Sequence, residues 1–96
     1  MIAKTTKQRL GELARQICIE NNLSQVYFVQ VLGSRRHYLI GFGKTLFSKP
    51  EHMAVGKHLA LFWHGSLSKS KREQIRNIVE PFLDALEQEL QHKSRL

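Results

Sequence analysis

Two neighbouring runs, QVYFVQVL at residues 25–32 and HYLIGFG at residues 37–43, constrain the fold of this chain more than anything else in it. Branched and aromatic side chains dominate both, and these fit the pleated surface of a sheet better than the crowded turns of a helix. Between the runs lie Gly33, Ser34, Arg35 and Arg36. Glycine and serine form turns readily, and the arginines project into water. The stretch therefore reads as a β-hairpin, with Lys44 to Phe47 able to prolong its second strand. A hairpin alone is marginal in water and needs further partners for stability.

KHLALFWH at residues 57–64 supplies one. Alternation puts Leu59, Leu61 and Trp63 on one side of a strand, with His58, Ala60, Phe62 and His64 on the other. Ser48 and Pro50 can also start a helix, so residues 48–65 admit two readings. The strand is preferred because it gives the hairpin its third member.

Helical periodicity flanks this centre. Thr5 and Gln8 fit a capping box, Leu10, Leu13, Ala14 and Ile17 recur on one face, and Asn21 and Asn22 suit a helix end. A first helix is expected over residues 5–21. Ser70 and Glu73 fit a second capping box, ahead of Ile75, Ile78, Val79, Phe82, Leu86 and Leu90. That helix is expected over 69–91, with a kink or break at Pro81, which has no amide to bond the carbonyl of Asn77. The expected architecture is α+β: a three-stranded antiparallel sheet packed against two helices (α-β-β-β-α), in one domain over residues 1–96.

The centre has a second reading. LSQVYFVQVLG at residues 23–33 resembles the start of a phage-repressor type helix-turn-helix, with Phe28, Leu32, Leu39 and Phe42 at its apolar positions and Gly33 at its glycine. Val29 and Ser34 depart from the pattern. The resemblance implies an all-α domain whose recognition helix opens with Arg35, Arg36, His37 and Tyr38. That helix would also contain Gly41 and Gly43, each costing about 1 kcal/mol against alanine. In the hairpin reading the element order resembles that of double-stranded-RNA-binding domains, with GSRRH and KSKR in place of their basic features. The ending LALFWHGSLSKSKREQI is similar to that of GAF-type sensor domains.

Charge points to the class of partner. The chain carries a formal net charge of +7 in 96 residues. Before residue 77, 13 Lys and Arg stand against four glutamates, whereas the last 20 residues hold two cations against four acids. Such a surface attracts phosphates, acidic protein faces or anionic headgroups. The first focus is Arg35, Arg36 and His37 with Tyr38 beside them, where arginine forks grip phosphate and a tyrosine can stack on a base. The second is Lys69, Lys71, Arg72 and Arg76 at the start of the last helix, where cations oppose the helix dipole and a phosphate would meet free amides as well.

Other chemistries find less. Cys18 is the single cysteine, which excludes an internal disulfide, and it reads as a small buried hydrophobe. The histidines lack metal-ligand spacing, so no metal or other cofactor is expected. Gly43-Lys44-Thr45 lacks the leading glycine of a phosphate-binding loop, since position 38 is Tyr38. No paired carboxylates or activated nucleophile suggest an enzyme. The apolar runs are far below the roughly 20 residues of a membrane span, and nothing near the start resembles a secretory signal, so a cytoplasmic protein without membrane insertion is expected. Two functions follow as expectations. One is a nucleic-acid-associated binding protein, for DNA or RNA and with a regulatory role, touching phosphates through the two basic foci. The other is a protein-protein module or homodimer that meets an acidic surface, motivated by Tyr27, Phe62, Trp63 and Phe82 as aromatic surface.

Overall fold

A computed structural model describes the backbone of residues 4–44 and 49–94 and the side chains of residues 7–44 and 49–82. The elements are α1 Lys4–Glu20, β1 Gln25–Leu32, β2 Arg35–Gly43, β3 Glu51–Ala54, β4 Leu59–His64 and α2 Lys69–Ser94. All strand pairs are antiparallel, in the order β2-β1-β4-β3. The fold is α+β, with four strands rather than the three expected. The strand missed is β3, only four residues long with Met53 alone buried, too short for its alternation to stand out. It occupies the stretch where Ser48 and Pro50 left a helix open.

The helix-turn-helix reading does not hold. Residues 35–43 are extended and pair with β1 along its full length, so Arg35 to Tyr38 open a strand and not a helix. Two glycines shape this hairpin. Gly33 begins a two-residue turn with Ser34 at φ 62°, a conformation that branched or bulky residues avoid, and Leu32 pairs with Arg35 directly across it. Gly41 faces Tyr27, and a Cβ there would lie 2.4 Å from the Tyr27 Cβ.

Among the described residues, the helices cover one face of the sheet and not the other. Val26 and Phe28 of β1, Leu59, Leu61 and Trp63 of β4, and Met53 of β3 join Leu10, Leu13, Ala14 and Ile17 of α1 and Ile75 and Val79 of α2 in a single core. The alternation expected for β4 is the one observed. Trp63 is fully buried in this core, which corrects its placement among surface aromatics, and Phe82 is only partly buried against the same cluster. The Arg72 guanidinium lies 5.2 Å from the Trp63 ring centroid, where cation–π attraction acts on two groups whose Nε1 and Nε atoms are buried without hydrogen-bond partners.

The helix ends follow the local chemistry. Asn22 adopts φ 55°, the Leu23 amide donates to the Cys18 carbonyl at 2.9 Å and the Asn22 amide to Ile19 at 3.3 Å. This is a Schellman closure with asparagine in the left-handed position. Cys18 is buried, its thiol donating to the Leu23 carbonyl at 3.0 Å, and burial pushes the thiol pKa up. At α2 the cap is Ser68, whose Oγ accepts from the Lys71 amide at 3.2 Å, and not the expected Ser70. The helix begins with Lys69 and continues across Pro81 without a break. Thr5 and the stretch Thr45 to Ser48 lie outside the described side chains.

Candidate functional site

The helix-free face of the sheet carries an aromatic row built by strand register. Tyr27 of β1 stands opposite Phe62 of β4, and His52 of β3 opposite Phe62 from the other side. Their rings stack with centroids 5.2 Å apart for Tyr27–Phe62 and 5.1 Å for His52–Phe62, at 17° and 18° between planes. Tyr38 of β2 extends the row, its centroid 5.8 Å from that of Tyr27 and tilted by 36°. Aromatic groups from all four strands thus lie side by side, each contact of the kind worth about 0.5–1.5 kcal/mol beyond burial.

A β-bulge decides which residues of β2 reach this face. Phe28 pairs with Ile40 and Val29 with Tyr38, so Leu39 is the extra residue on β2, and both Leu39 and Ile40 pack toward the helices. Strict alternation from Ile40 would send Tyr38 and Arg36 to the helix side. The bulge returns both to the open side, opposite Val29 and Val31. From there the Arg36 guanidinium reaches to 5.6 Å from the Phe62 ring centroid.

The row is not uniformly accessible. Phe62 is 8% exposed, since Tyr27, His52 and Arg36 surround it, while Tyr38 is 63% exposed at the edge. Tyr38 therefore presents a free ring face at the end of the stack, and the inner rings present edges. Tyr27 has its phenol pKa raised, first by burial and then by the neighbouring Tyr38.

Basic groups collect where the two hairpin turns lie side by side. The Val31 amide donates to the His58 carbonyl at 2.9 Å, which ties the β3–β4 turn to the end of β1. His58 Nδ1 lies 3.3 Å from the Val31 carbonyl, a bond that requires the proton on Nδ1. Arg35, Arg36 and His37 come to this end from β2, and Lys57 and His58 from the other turn.

The eight residues singled out from sequence are thereby divided. Arg36 and Tyr38 share the open face, while Arg35 and His37 alternate to the other side of β2 at the same exposed end. Lys69, Lys71, Arg72 and Arg76 belong to α2, in the layer on the opposite face, so the two foci do not form one surface. Two of these four are occupied in holding the fold. Arg72 lies on Trp63, and Arg76 donates to the Ala54 carbonyl at 3.3 Å and pairs with Glu73 at 2.7 Å. The exposed ion pair contributes little to stability. Lys57 and His52 were not singled out for this surface, because only the β3–β4 pairing brings them beside Phe62 and Arg36. Among the described residues, no three His, Cys, Asp or Glu side chains come together as a metal site would require, and no helix is long and apolar enough to cross a membrane.

Compared with known proteins, the chain matches no family model, no curated protein and no solved structure.

Proposed function

We propose that this protein binds single-stranded nucleic acid on its open sheet face, with Arg36 and the basic turn end meeting phosphates and Tyr38 stacking on a base. The observation that carries the reading is the aromatic row beside Arg36 on the helix-free face. Sequence-specific or single-strand recognition needs flat π-surfaces for unstacked bases and cations for the backbone, and a sheet holds both in fixed register. A duplex keeps its bases stacked inside, where Tyr38 has nothing to meet. In the sequence the excess positive charge lies before residue 77, since the last 20 residues hold two cations against four acids, which favours a single binding surface over general attraction.

Fluorescence anisotropy with labelled single-stranded RNA, single-stranded DNA and duplex DNA at two salt concentrations tests the proposal. Tighter binding of a single strand than of the duplex, weakening steeply with salt, is expected. No binding at low salt, or equal binding of duplex and single strands, would overturn it.

A further inference from the structure

The open face holds a cleft of about 200 Å³ toward the hairpin turns, and its shape follows from register. Phe62 and His52 stand opposite each other in the aromatic row, and the next outward-facing pair on β4 and β3 is Ala60 with Ala54. Two one-carbon side chains after two rings leave a depression. Phe62 and His52 form one wall, Lys57 enters from the β3–β4 turn, and Arg36 reaches across from β2. Its described lining holds three groups that carry or can take up positive charge, namely Arg36, Lys57 and His52, and no carboxylate.

We infer that this cleft is a pocket for one nucleotide unit, its base lying over Ala54 and Ala60 against the Arg36 guanidinium and its phosphate held by Lys57. The inference deepens the open-face reading and rests on it. A flat apolar floor bordered by a guanidinium that lies over Phe62 suits a planar heterocycle, because arginine stacks on bases as aromatic rings do. A phosphate beside the base satisfies the cations, which a neutral ring would leave unpaired. A cleft of about 200 Å³ has room for one base, with the sugar and phosphate at its open mouth beside Lys57. The unit can come from a strand or from a free nucleotide, and the chemistry is the same.

The test compares four probes by NMR titration of the full chain: adenosine 5′-monophosphate, ribose 5-phosphate, a single strand of about eight nucleotides, and the same strand made abasic. The mononucleotide is expected to shift the amides of Arg36, Ala54, Lys57 and Ala60, and ribose 5-phosphate, which lacks the base, to leave those of Ala54 and Ala60 unmoved. Ala54→Leu fills the cleft without changing charge and should weaken the base-bearing strand about tenfold while sparing the abasic one. Should Ala54→Leu fail to fold, Lys57→Gln, in an exposed turn, is expected to weaken the mononucleotide several-fold. If the mononucleotide shifts nothing and Ala54→Leu binds the base-bearing strand as tightly as the original chain, the pocket is overturned while the open-face reading survives. Binding of the mononucleotide without any strand would keep the pocket and overturn the strand reading. Binding of neither overturns both.

Discussion

Arg36 and Tyr38 are neighbours on one strand face, yet they are expected to fail differently when removed. Arg36 offers charge to phosphates, so Arg36→Ala should weaken a single strand and lower the salt slope by about one, read from anisotropy across a salt series. Tyr38 offers an exposed ring, so Tyr38→Ala should cost about 1–3 kcal/mol of binding with the salt slope unchanged. Equal salt slopes in the two variants would contradict the assigned roles. Arg36 and Tyr38 were legible as a basic and aromatic pair from their types alone. The side of the sheet that this pair faces was not, because it depends on the extra residue Leu39, and a one-residue bulge leaves no mark in composition.

At the scale of elements, the ends of the helices and the two basic foci make separate predictions. Asn22 holds a left-handed conformation at the close of α1. Asn22→Gly should therefore leave stability near or above the original, and Asn22→Val should cost about 1–2 kcal/mol, measured by denaturant unfolding. On α2, Lys69 and Lys71 are exposed and lie in the layer opposite the aromatic row. Reversing both charges, as Lys69→Glu with Lys71→Glu, should change single-strand affinity less than Arg36→Ala alone at about 0.15 M salt, where distant charges are largely screened. A larger loss from the α2 pair would move the binding surface to that helix. Both helices, the hairpin and the Leu59–His64 strand could be read from periodicity, since each repeats its pattern over several residues. β3 could not, because four residues with one buried side chain carry no period, and Ser68 was passed over as a cap because Ser70 and Glu73 offered the familiar spacing.

For the whole molecule, the decisive property is that both helices lie on one side of the sheet, so that among the described residues no helix covers the other face. That layering was foreseeable from two amphipathic helices and alternating strands, each of which has a single apolar side to bury. The contents of the open face were foreseeable only in part. Tyr27 and Phe62 stood out as aromatic, but so did Trp63, which one step along the same strand turns inward to become core. The edges of the sheet bear on assembly. β2 is interrupted by a bulge and carries Arg35 and Arg36, and β3 is short, features that blunt edge-to-edge strand pairing. Mapping the amide shifts of the full chain as a short single-stranded oligonucleotide is added tests binding on the open face most directly. Shifts concentrated at Tyr27, Arg36, Tyr38, His52, Lys57 and Phe62 are expected; shifts confined to the first turns of α2, or none at all, would contradict binding on the open face.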